Sequence, residues 1–179
     1  MKMFKKLMAV TLAGVMALAM LTGCGSAVNE KEIIAQLNDM GRGYITYSKE
    51  SPEKANKVIN LINKAYADTK DEEKANFDPV VALFGDEAKH YRYDVAAVNK
   101  ELGITEDTKD YYVVLITEIT KYNSKYYNEH NIRMLLNNGT EVELNENGHG
   151  MPSNKVTVSM NTVTLGDAQY LVMVTVNMA

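Results

Sequence analysis

The sequence predicts an α+β fold, with N-terminal helices packed on a C-terminal antiparallel sheet of about five strands. Two observations predict it. From Glu30 to Leu102 apolar residues recur at three- and four-residue steps, whereas beyond Gly103 they alternate every second residue. Helices grouped before strands, not interleaved with them, are the mark of an α+β domain. Residues 30–179 read as one such domain, helical over 30–103 and β over 110–178. A helical unit beside a small β-sandwich is the other arrangement this order allows.

Each element has its own signal. Ile33, Ile34, Leu37, Met40, Tyr44 and Tyr47 form one face of a helix beginning at Glu30. Gly41 and Gly43 interrupt it, and each costs about 1 kcal/mol in a helix interior, so the helix continues, bends or stops there. Ser51-Pro52-Glu53 reads as an N-cap, a proline at the first helical position and an acid in the first turn. The face that follows is Val58, Ile59, Ile62, Ala65 and Tyr66. Asp78-Pro79 offers a second start, and the pattern from Val80 runs to Gly103, a C′ residue, with Gly85 as a break.

In the second half, Tyr111 to Lys121 is apolar on both faces up to Thr117, which predicts a central strand. Ile132–Leu136 and Glu141–Leu144 flank Asn137-Asn138-Gly139-Thr140. Asn-Gly favours a type I′ turn, so these read as a hairpin. Val156, Val158 and Met160 alternate with polar residues, as do Tyr170, Val172, Val174 and Val176 after a Gly166-Asp167 turn. Antiparallel connections can join all of them.

Composition narrows the function classes. One Cys in 179 residues excludes an internal disulfide and a Cys-rich zinc site. A net charge of −4 argues against a nucleic-acid binder, which needs a basic surface to displace counterions from phosphate.

Lys2, Lys5 and Lys6 precede an uncharged stretch from Leu7 to Leu21. That stretch is too short to cross a hydrocarbon core of ~30 Å as a helix, and it has the build of a secretory signal peptide. Its end, Leu21-Thr22-Gly23-Cys24, resembles the lipobox of bacterial lipoproteins. The resemblance implies that residues 1–23 are removed and that Cys24 carries a diacylglyceryl group, with its freed amine acylated by a fatty acid such as palmitate. Residues 24–29 would then tether the domain to the extracytoplasmic face of the cell membrane, reaching at most about 20 Å. Loss of the three lysines takes the net charge from −4 to −7.

The remaining chemistry is sparse. Ser51-Pro52-Glu53-Lys54 matches the S-x-x-K pattern of penicillin-binding proteins, and Ser159-Met160-Asn161 supplies an S-x-N, but no K-T-G follows and capping accounts for Ser51. His90, His130 and His149 lack the paired spacing of metal ligands. Asp68, Asp71, Glu72 and Glu73 read as a solvated helix end, without the ordered spacing of a calcium loop. Glu141 and Glu143 share a strand face roughly 7 Å apart, a separation found for inverting glycosidase carboxylates and for any two acids so placed.

Tyrosine is the compositional oddity, with eleven residues. Tyr122, Tyr126 and Tyr127 are the candidates for an exposed binding surface, suited to stacking on a glycan or gripping an envelope protein. His149 joins them as a candidate, in a loop flanked by glycines. No catalytic residue, metal site or cofactor is assigned. The expectation is a lipid-anchored, non-catalytic binding or interaction module of the bacterial envelope. The alternative is a small envelope hydrolase acting on cell-wall material through a site that only the fold assembles.

Overall fold

The computed structural model of the chain describes residues 29–85, 95–120, 129–145 and 153–178. Helix α1 spans Glu30–Met40, and the Asn29 side chain accepts from the Glu32 N–H at 3.4 Å. Glu30 and Glu32 suit the partial positive charge of its first turn. The helix stops at the glycines. Arg42 and Gly43 take positive φ, +49° and +78°, and turn the chain back. Gly41 is needed for a different reason, since a Cβ there would stand 2.6 Å from the Ile45 carbonyl oxygen. Tyr44 is therefore not on a helix face but 82% exposed, and Tyr47 lies in a strand, β1, Thr46–Lys49.

Helix α2 spans Glu53–Asp68, followed by a 3₁₀ turn at Lys74–Asn76, α3 at Pro79–Phe84 and α4 at Ala96–Leu102. Asp78 caps α3 as its sequence predicts, accepting from the Val80 and Val81 N–H groups at 2.8 and 3.4 Å. Gly85 and Gly103 end α3 and α4 with positive φ. Ser51 does not cap α2. Its place is taken by Ser159, a fully buried side chain from a strand of the C-terminal half, 108 residues away in sequence. The Ser159 hydroxyl accepts from the Ala55 N–H at 3.0 Å and donates to the Ser51 carbonyl at 2.8 Å.

Five further elements follow: β2 (Tyr111–Glu118), α5 (Glu129–Asn137), β3 (Thr140–Glu143), β4 (Lys155–Leu165) and then β5 (Ala168–Asn177). The Ile132–Leu136 hairpin strand is thus replaced by a helix. Its apolar residues Ile132, Leu135 and Leu136 are buried at helical spacing, which a five-residue window reads equally well as a strand. Gly139 is required because it passes directly over β2. A Cβ there would lie 2.4 Å from Leu115 Cδ1 and 3.1 Å from Thr117 Cβ.

The described strands form one sheet in the order β1-β4-β5-β2-β3. All neighbours are antiparallel except β1 with β4, which are parallel. The α+β class stands, with five helices and a mostly antiparallel five-stranded sheet among the described residues. Three particulars differ from the sequence reading: a strand from the N-terminal half, a helix in the C-terminal half, and helices on both sheet faces.

Alternation along the strands divides the core in two. Val114, Ile116, Val172 and Val174 meet Val58 and Ile62 of α2, Phe84 of α3 and Val98 of α4. On the opposite face Leu115, Met160, Leu171 and Met173 meet Ile33 and Leu37 of α1 with Ile132 and Leu135 of α5. No helix among the described residues is long and apolar enough to cross a membrane.

Candidate binding groove

Helices α1 and α5 cover only part of their sheet face. Beyond their C-terminal ends the same face forms the floor of a groove of about 330 Å³. Every strand contributes: Tyr47 from β1, Val156 from β4, Met173 and Thr175 from β5, Tyr111 and Val113 from β2, Glu141 from β3. Pairing explains the assembly. Val113 opposes Thr175 and Glu143, while Tyr111 opposes Asn177, which in turn opposes Val156. These are same-face residues in two adjacent rows. Leu37 and Met40 of α1 and Leu136 and Asn137 of α5 form the rim on the helical side.

Each tyrosine is held from behind. The Asn38 side chain pairs with the Tyr47 peptide as a neighbouring strand would, accepting from its N–H at 2.8 Å and donating to its carbonyl at 2.9 Å. This places Tyr47 and also satisfies backbone groups on β1, a short edge strand. Asn145 performs a similar task for β2. It accepts from the Tyr112 N–H at 3.1 Å and donates to the Asp110 carbonyl at 2.6 Å.

The electrostatics of the groove are acidic. Burial raises the Tyr111 phenol well above its usual value, reinforced by its hydrogen bond to the Glu143 carboxylate and by the charges of Glu143 and Glu141. Tyr47 is raised as well, first by burial and then by Glu141. Both hydroxyls therefore stay protonated at neutral pH, within reach of the Glu141 field. Among the described lining residues there is no Lys, Arg or His. Lys49, on the same face of β1 as Tyr47, is paired with Glu30.

A second cleft, of about 430 Å³, lies at the other end of the strands beside the Gly166-Asp167 turn. Its walls include Lys74, Glu118 and Asp167, and Tyr66 packs edge-on to Phe77 with ring centroids 5.1 Å apart. Charges of both signs and a mixed wall give it less definition than the groove.

Of the residues singled out from sequence, Cys24, Tyr122, Tyr126, Tyr127 and His149 lie outside the described residues, as does His90. Ser51 and Ser159 of the two penicillin-binding-like motifs do meet, but as a helix cap. The Ser159 hydroxyl is engaged on both sides, and Lys54 is ion-paired with Glu50 at 2.7 Å. Asp68, Asp71, Glu72 and Glu73 are all exposed, with Asp71 bonded to Lys74 at 2.7 Å. Among the described residues no three His, Cys, Asp or Glu gather as a metal site. Of the residues weighed for chemistry in the sequence, Glu141 is the one among the described lining of the groove. The sequence places Tyr47 on a helix face and Tyr111 at the start of the central strand, neither as a site residue. No sequence signal brings them together, because they lie on strands separated by β4 and β5. Compared with models of protein families, with curated proteins and with solved structures, the chain matches none.

Proposed function

We propose that this chain is a lipid-anchored, extracytoplasmic binding module of the bacterial cell envelope, and that the groove is its ligand site. The lipobox Leu21-Thr22-Gly23-Cys24 supports the location. The observation that carries the binding reading is the groove itself, a concave, mostly apolar surface with a few convergent polar groups on rigid strands. Its position suits the anchor. Met40, at the C-terminal end of α1, is on the rim, and an eleven-residue helix is about 16 Å long. The proposed tether leads into Asn29 at the other end of α1, so the length of that helix separates it from the rim.

Binding is favoured over hydrolysis by the state of the two acids. A general acid is a desolvated carboxyl, whereas Glu141 and Glu143 are exposed and Glu143 is engaged by Tyr111. Two measurements test the proposal. Cells expressing the chain with labelled fatty acid will incorporate label into it, and Cys24→Ser will abolish incorporation; normal labelling of the variant refutes the anchor. The full chain in lipid nanodiscs, screened by thermal shift against glycans, muropeptides and metabolites, will give a saturable hit that Val113→Trp abolishes. A ligand at 100 times its dissociation constant adds ~2.7 kcal/mol, a shift of several degrees. A hit insensitive to Val113→Trp moves the site elsewhere.

A further inference from the structure

The charge and shape of the groove specify a class of ligand. About 330 Å³ is at the small end of ligand pockets, the size for a compact molecule. Aliphatic side chains such as Val113, Leu115, Val156 and Met173 make the floor, Tyr47 and Tyr111 line it, and the charged residue among the described lining is Glu141. We propose that the groove takes a small organic cation with an apolar body, an alkyl- or aryl-ammonium compound, an inference that rests on the groove being the ligand site.

Three physical arguments select the cation. Ring faces attract ammonium groups, and the attraction grows as both are removed from water. The carboxylate of Glu141, with Glu143 bonded to Tyr111 close by, supplies the opposite charge, with no competing cation among the described lining residues. An anion would meet that field and no basic partner among the described lining residues. A wholly apolar molecule would fill the floor but strip water from Glu141 and return nothing to it, which is unfavourable. A ligand that joins an apolar body to a positive head satisfies both halves of the lining.

The test uses the full chain in nanodiscs of uncharged galactolipid, with ¹³C at the methionine methyls so that Met40 and Met173 report groove occupancy and not partition into lipid. Three probes of matched shape are titrated: benzyltrimethylammonium, its uncharged counterpart neopentylbenzene and the anion phenylmethanesulfonate. The cation is expected to shift both methyls saturably, with a dissociation constant of about 1 mM or tighter and at least about tenfold below the other two. The double variant Glu141→Gln with Glu143→Gln is expected to reduce cation affinity to that of the hydrocarbon. Equal or tighter binding of the hydrocarbon or the anion, or an unchanged cation affinity in a folded double variant, overturns the cation class and leaves the groove as a ligand site. If no probe moves Met40 and Met173, the groove reading itself falls. Should the double variant fail to fold, the ranking of the three probes on the native chain decides.

Discussion

Replacing Ser159 with alanine removes a single oxygen and breaks two links between β4 and the start of α2. In the native fold that oxygen accepts from the Ala55 N–H at 3.0 Å and donates to the Ser51 carbonyl at 2.8 Å, at a site with no solvent access. A protein hydrogen bond contributes about 1 kcal/mol net, and a buried donor left without a partner costs about 1–3 kcal/mol. The Ala55 N–H is one of the helix-start donors that no helical carbonyl can reach, and Ala55 is itself fully buried. The total comes to about 2–4 kcal/mol. For a chain of this size 1 kcal/mol moves the melting temperature by about 2–4 °C, so the midpoint is expected to fall by about 4–16 °C. Urea denaturation followed by circular dichroism measures the loss directly. Ser51→Ala is the matched comparison. If Ser51 were the cap, its loss would cost about 0.5–2 kcal/mol; here it is expected to change stability by less than about 0.5 kcal/mol. A Ser159→Ala chain within about 0.5 kcal/mol of native, or a Ser51→Ala chain equally destabilised, refutes the long-range cap.

Asn38→Ala is expected to cost about 1–3 kcal/mol and to speed exchange of the Tyr47 amide, because that peptide loses its side-chain partner; unchanged exchange refutes the splint. Gly139→Ala forces a methyl against Leu115 and Thr117 in a packed layer, with an expected loss of about 1–3 kcal/mol by chemical denaturation. Tyr111 governs part of the alkaline behaviour. Its pKa is raised in the folded state, so the unfolded chain ionises first as pH climbs past the ordinary value of 10.0, and stability falls from there. Tyr111→Phe is expected to flatten the urea midpoint against pH above that value, and an unaltered slope counts against the buried hydroxyl.

Local chemistry decided much of this fold in advance. Asp78-Pro79 starts a helix because the carboxylate accepts from the N–H groups that follow it, whatever lies around. Gly85 and Gly103 end helices and Gly166 makes a turn because positive φ favours glycine over residues that carry a side chain. The period-two runs at Val156–Met160 and Tyr170–Val176 became β4 and β5 because alternation gives a strand one apolar face to bury, and the lipoprotein signal proposed for residues 1–24 likewise rests on local pattern alone.

Other features have no local cause. Thr46–Lys49 is polar and short, and becomes a strand only because β4 presents a free edge and Asn38 closes the other side. Ile132–Leu136 is a helix because Thr140–Glu143 occupies the edge beside β2, and its buried residues face α1 and β2 across the second core. Ser159 caps a helix begun 106 positions before it, counted to Glu53. The groove gathers Tyr47, Tyr111 and Glu141 from strands whose order, β1-β4-β5-β2-β3, is set by which edges and faces remain to be paired and covered. Capping and turn chemistry act over three or four residues and are written in sequence. Strand order and shared cavities depend on pairing energies summed over the whole sheet, and only the tertiary structure decides them.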